Sequence, residues 1–258
     1  MKVSPFFKSH YSIGRSILTL EDEGSDSENG PDSIIDICKK NNLDTFFLVD
    51  DNMSGFLQAY VNSVQNNLKM IFGLRISLCN DLTKKDKESL DQTCKYIIFA
   101  KNTNGYKRLI KIFSKASLEG FYYTPRADFN LLSSLWDEED LQLVAPFYDS
   151  FIHKNYLEDF WCSEPLNKFK LDLVIEQNNL PFDDIIANRV KEYSKNNSHS
   201  NIIHAQSIYY KNKKDFKPYI TFRAIDNRTT LGKPNLEHMG SDEFCFESWQ
   251  EKNHEKTP

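Results

Sequence analysis

An α/β architecture with crossover helices is predicted by three features of this sequence. Short runs rich in β-branched and aromatic residues alternate with amphipathic stretches along the 258-residue chain. Those runs are continuously apolar instead of alternating with polar residues, which marks strands covered on both faces, as in a parallel sheet. The stretches between them carry helical periodicity and are long enough to return over a sheet.

In chain order, a first short strand is expected around 3–8, followed by an acidic, Gly/Ser-rich segment at 21–32 (EDEGSDSENGPD) that reads as a solvated loop. A helix at 33–41 opens with Ser33 and Asp36 spaced as a capping box. Strand 45–49 (TFFLV), helix 55–67, strand 70–78 (MIFGLRISL) and strand 95–100 (KYIIFA) come next, and then helices 102–117 and 129–135. Strands 141–145 (LQLVA), 171–175 (LDLVI) and 201–204 (NIIH) alternate with helices 153–161, 182–195 and 214–224. The polar tail 250–258 is expected to fray, leaving one domain over 1–249.

The composition, 40% hydrophobic and 27% charged, supports a full core for one large domain. A net charge of −5 gives no global basic field, so contact with nucleic acid would rest on a local patch. Five cysteines, odd in number and without a CxxC pair, argue against a disulfide framework and a structural zinc, and for a reducing cytoplasm. No apolar run approaches the length of about 18 residues that a membrane span needs.

The most specific stretch is 95–132. Its residues Ala100-Lys101-Asn102, Gly105-Tyr106, Leu109, Ser114, Glu119-Gly120-Phe121-Tyr122-Tyr123, Pro125-Arg126 and Asp128 closely resemble the PHP (polymerase and histidinol phosphatase) domain at the front of bacterial DNA polymerase III alpha subunits. Weaker anchors extend the resemblance: Asp50 with Asn52-Met53-Ser54-Gly55, Gly73, Asn178-Asn179-Leu180-Pro181, Asn227-Arg228 and Ser241-Asp242-Glu243-Phe244. The resemblance implies a distorted (β/α)7 barrel with divalent metals held by His, Asp and Glu at the carboxyl ends of the strands.

The positions that the resemblance assigns to metal ligands carry different chemistry here. The opening His-x-His-x-His-Ser pattern aligns with Ser4-Pro5-Phe6-Phe7-Lys8-Ser9, and His10 falls two residues too late. Asp50-Asp51 stands where the family has Asp-His. Arg75 occupies a Glu position, Lys95 a His position, and Ser207-Ile208-Tyr209 an Asp-x-His motif. A guanidinium or an ammonium cannot ligate a cation. Asp50 and Asp51 remain as residual candidate ligands, and His153, His204 and His238 lack any paired spacing that would strengthen them. The expectation is a degenerate site without catalytic metal, in which Lys8, Arg75 and Lys95 converge on Asp50 and Asp51 as an ionic network with weak affinity for DNA or phosphate.

Other catalytic constellations, namely GxSxG, GxxxxGK[ST] and GxGxxG, are absent. Lys107-Arg108 with Lys111 and Lys115, and Lys211 with Lys213 and Lys214, read first as solvated faces and second as phosphate contacts. Phe121-Tyr122-Tyr123 is expected to pack in the barrel, with Arg126 and Asp128 as structural residues fixing the loop. The reading is therefore a standalone, degenerate PHP domain, as would suit a phage. It would lack a cofactor and serve DNA replication by binding a polymerase or a proofreading exonuclease. The alternatives are a metal-dependent phosphoesterase or 3′–5′ exonuclease using Mn, Zn or Fe at a reorganised site, and the N-terminal part of a split DNA-directed DNA polymerase.

Overall fold

Among the described residues, seven of the eight strands fall close to where the sequence places them, and the short strand Arg126–Ala127 was not expected. The eight are β1 (Ser4–Phe7), β2 (Thr45–Asp50), β3 (Lys69–Cys79), β4 (Thr93–Ala100), β5 (Arg126–Ala127), β6 (Leu141–Ala145), β7 (Leu171–Ile175) and β8 (Ser200–Ile208). The computed structural model describes residues 3–22, 24, 30–158, 161–165, 169–232 and 240–254. The strands hydrogen-bond in the order β2-β1-β8-β7-β6-β4-β3-β5, and β2 also pairs with β3. The order of the seven longer strands thus closes on itself, with β5 appended to β3: a closed α/β barrel.

The sheet is mixed, which corrects the expectation of parallel strands throughout. β1 runs parallel to β2 and β8, and β6 to β7, but β4 is antiparallel to both β3 and β6. Buried parallel and antiparallel strands both read as continuous apolar runs, so composition does not reveal direction. The connection 80–92 could have done so: its only helix, α3 (Lys87–Asp91), is five residues long and polar, too short for a parallel crossover.

The contacts divide the chain into two units. The first comprises 1–72, 176–183 and 204–258. It holds α1 (Ile34–Lys40), α2 (Phe56–Gln65), the 3-10 turn Lys213–Asp215, α8 (Phe216–Asp226) and α9 (Phe246–His254). Ser33 caps α1, its hydroxyl accepting from the amides of Ile35 and Asp36, while the Asp36 carboxylate accepts from Lys40 and Gly24. The core stacks Phe7 against Phe246 at 5.9 Å, with Phe46 edge-on to Phe7 at 6.3 Å. The expected frayed tail is in fact the continuation of α9 as far as His254; residues 255–258 lie outside the described residues.

The second unit comprises 73–175 and 184–203. It holds α3, α4 (Thr103–Leu118), α5 (Phe129–Leu135), α6 (Phe151–Leu157) and α7 (Asp183–Asn196), apart from the first residue of α7. Tyr96 anchors this core, stacked on Phe151 at 5.9 Å and edge-on to Phe129 at 5.6 Å, and Phe151 meets Tyr193 at 5.1 Å. α4 begins where Asn102 accepts from the Gly105 amide, and Gly105 is required there because a Cβ would lie 2.2 Å from the Asp140 carbonyl oxygen. All five cysteines are free and buried. Among the described residues, no helix is long and apolar enough to cross a membrane.

Candidate functional site

In the first unit, parallel pairing of β1 with β2 sets Phe7 level with Leu48, so the residues following the two strands meet. Asp50 is fully buried and accepts three hydrogen bonds. On Oδ1 these come from the Ser9 amide at 2.9 Å and the Ser12 hydroxyl at 2.7 Å; on Oδ2, from the Ser9 hydroxyl at 2.6 Å. The Ser12 Oγ accepts in turn from the Asp51 amide at 2.9 Å. Lys8, 4% exposed, donates from Nζ to Asp51 Oδ1 at 3.0 Å. Burial pushes the Asp50 carboxyl above its ordinary range, against the opposing pull of the Lys8 charge and the serine hydrogen bonds. His10 is not part of this cluster; its amide donates to Leu18 O and its ring lies tilted against Tyr11 at 4.4 Å.

A second buried carboxylate of the same unit is absent from the sequence expectation. Glu176 follows β7 directly and is 3% exposed. Its Oε2 accepts from the Ser207 amide at 2.9 Å and Asn178 Nδ2 at 3.0 Å, and its Oε1 from the Ser207 hydroxyl at 2.8 Å. Burial raises its pKa too. An acidic residue ending the apolar run 171–175 was the signal available for it. Ser207, read as a lost ligand position, caps that carboxylate. His204 lies within β8 instead of ending a strand, and His238 lies outside the described residues.

In the second unit, Arg75 and Lys95 gather around Asp149, another residue the sequence reading did not single out. Arg75 Nη2 lies 2.5 Å from Asp149 Oδ2, and the Asp149 carbonyl accepts from the Lys95 amide at 2.7 Å. Because β4 runs antiparallel to β3, Lys95 at its start sits opposite Ser77 near the end of β3, and Nζ donates to Ser77 Oγ at 2.6 Å. His153, in the first turn of α6, is held below its ordinary pKa by burial, in spite of nearby Asp149 and Glu158. The structure thus brings Lys8 to Asp51 in one unit and Arg75 to Asp149 in the other.

Arg126 is fully buried in the second unit. Its guanidinium donates to Gly120 O at 3.2 Å, Ser89 Oγ at 3.2 Å and Lys84 O at 2.9 Å, and stands 5.2 Å from the centre of the Tyr122 ring. Asp128 caps α5, accepting from the Leu131 amide at 2.7 Å. Of the aromatic triplet expected inside the barrel, only Tyr122 is partly covered; Phe121 is 51% and Tyr123 76% exposed.

These donors do not fit a divalent cation. Asp50 and Glu176 already receive hydroxyl and amide donors, Asp51 faces an ammonium, and Asp149 faces a guanidinium. Introducing an ion would strip buried carboxylates of their partners and set it beside fixed positive charges. Among the described residues, no three His, Cys, Asp or Glu side chains cluster as a metal site.

Comparison with known proteins agrees with this framework. A family model described as "PHP domain" matches residues 23–195. The DNA polymerase III subunit alpha of Borreliella burgdorferi is 27% identical over 231 residues, covering 84% of this chain and 20% of that protein. Its counterpart from Aquifex aeolicus is 28% identical over 194 residues, 70% of this chain and 16% of that protein. For Helicobacter pylori the match is 38% over 81 residues, 31% of this chain and 7% of that protein. The chain therefore spans about a fifth or less of the length of these relatives. With two thirds of its length matched by the family model and a closed α/β barrel beneath it, the chain belongs to the PHP domain family.

Proposed function

We propose that this PHP domain acts by interaction instead of by hydrolysis, as a metal-free module associated with DNA replication. The observation that carries the reading is the occupation of its strand-end carboxylates by hydrogen-bond donors: Asp50 and Glu176 each accept three hydrogen bonds, from Ser9, Ser12, Ser207 and Asn178, leaving few of the lone pairs that a metal-dependent hydrolase needs. Tethered cations supply the positive charge that would otherwise come from ions, Lys8 toward Asp51 and Arg75 toward Asp149. The replication context is supported by the relatives, whose names are those of a DNA polymerase III subunit. A polymerase or a proofreading exonuclease is the kind of partner this context suggests.

Metal analysis of the untagged protein, paired with phosphodiesterase and phosphomonoesterase assays in added Mn, tests the reading. Substoichiometric metal and no turnover are expected. Stoichiometric Mn, Zn or Fe, with turnover abolished by Asp50→Ala, would instead establish a metal-dependent phosphoesterase or exonuclease with a reorganised site.

A further inference from the structure

Helix α4 carries four basic residues, Lys107, Arg108, Lys111 and Lys115, and no acidic one, in a chain whose net charge is −5. The four are not equivalent. Arg108 is committed to the fold: Nε donates to Asp140 at 2.7 Å, Nη2 to Asp137 at 2.9 Å and Nη1 to the Leu135 carbonyl at 2.9 Å. Lys107, Lys111 and Lys115 are exposed, and their side chains make no hydrogen bond or ion pair among the described residues. Like charges at i,i+4 on a helix repel by a few tenths of a kcal/mol per pair. Nothing described within the fold offsets that repulsion.

The three ammonium groups lie on one flank of the helix, about 6 Å apart along its axis and about 12 Å from first to last. Beneath the first two opens a cleft of about 240 Å³, lined by Asn104, Lys107, Arg108, Lys111, Leu135 and Asp140. At the other end the chain folds back, the Lys115 carbonyl accepting from the Glu119 and Gly120 amides, and delivers Phe121 and Tyr123 to the surface. Both rings are more than half exposed, and Tyr123 holds a left-handed backbone with φ 59°. That conformation costs a non-glycine residue on the order of 1 kcal/mol, so the ring is presented outward against a local penalty.

A row of free cations running into exposed aromatic rings is the chemistry that recognises a single-stranded nucleic acid, with phosphates on the lysines and bases on the rings. We propose that the α4 flank and the loop after it form a sequence-tolerant site for single-stranded nucleic acid. A flexible strand can follow both the lysines, which precess around the helix by about 40° per step, and the turn into the aromatic loop. An acidic peptide would satisfy the lysines but make no use of the rings. Asp140, which lines the cleft, and Asp137 are both paired with Arg108, and Glu119 caps the C-terminal end of α4 at the loop.

Fluorescence anisotropy with a labelled oligothymidylate of about 16 nucleotides tests the site. Three phosphate contacts at about −0.7 each predict a slope of about −2 for log K against log salt, or about a 16-fold loss of affinity between 50 and 200 mM salt. Each of Lys107→Ala, Lys111→Ala and Lys115→Ala is expected to reduce that slope by about 0.7, and the triple variant to abolish measurable binding. Lys191→Ala, an exposed lysine on α7, should leave the slope unchanged. Tyr123→Gly removes the ring while relieving the backbone, and is expected to weaken binding several-fold at constant slope without lowering the melting temperature.

Three results would overturn the site: no binding at low salt, binding that the triple variant retains, or equal binding of polyglutamate that Tyr123→Gly leaves untouched. The last would assign the row to an acidic protein partner. None of these outcomes bears on the carboxylate cluster, whose metal content and turnover are measured separately.

Discussion

At the scale of single residues, hydroxyls and cations occupy the carboxylates at the strand ends, an arrangement only partly visible in sequence. Lys8, Asp51 and Arg75 declare their charge, so a tethered cation beside an acid could be read directly. Glu176 and Asp149 could not, because their partners Ser207 and Arg75 are distant in sequence and a serine carries no signature of what it caps. Arg126 shows how far a motif residue can be taken. Its guanidinium is buried among two carbonyls and a hydroxyl, so Arg126→Ala takes one donor from each of three acceptors and is expected to destabilise the protein by about 2 to 3 kcal/mol. Thermal and urea unfolding measure this, and an unchanged melting temperature would refute the structural role.

At the scale of elements, the positions of the seven longer strands were legible because a mainly apolar run between polar segments has few other uses, whereas the two-residue β5 carries no such run. Direction was not: β4 is as apolar as the strands that pair in parallel, and only the short polar α3 before it betrays the reversal. The start of α4 is a junction of a different kind. Asn102 and Arg108 both bind Asp140, whose carboxyl they hold below its usual range, and Gly105 lets the first turn rest on the Asp140 carbonyl. Gly105→Ala gains helix propensity worth about 1 kcal/mol but forces a Cβ into backbone, and overpacking of this kind costs about 1 to 3 kcal/mol. We expect a net loss of stability, accompanied by faster amide exchange in the first turn of α4. A variant that is more stable than the wild type would show that the turn can shift freely.

At the scale of the whole molecule, the buried carboxylates set a pH signature that differs from that of the exposed ones. The folded pKa values of Asp50 and Glu176 lie above their unfolded values, so the folded state binds more protons and these groups favour folding less as pH rises from the ordinary carboxylate range. Asp140 and Glu243, with lowered values, act in the opposite sense and lose their contribution on acidification. Because the wild-type curve sums both, the test is a difference. Urea unfolding of Asp50→Asn and Glu176→Gln beside the wild type should show the wild type's relative stability declining as pH rises above the ordinary carboxylate range of about 4. Parallel profiles would mean that neither carboxylate titrates abnormally.

The serine cage around Asp50 also has a historical consequence. Putting an imidazole back at position 8, where the resemblance has one, would remove the ammonium that faces Asp51 while Ser9 and Ser12 still occupy Asp50. Replacing Arg75 alone would take the guanidinium away from Asp149. Each single reversion therefore passes through a less stable protein before any ion can repay the loss. Under the proposed function the metal-free condition would behave as a ratchet: with hydroxyls and cations closed around these carboxylates, selection for stability alone would keep them closed.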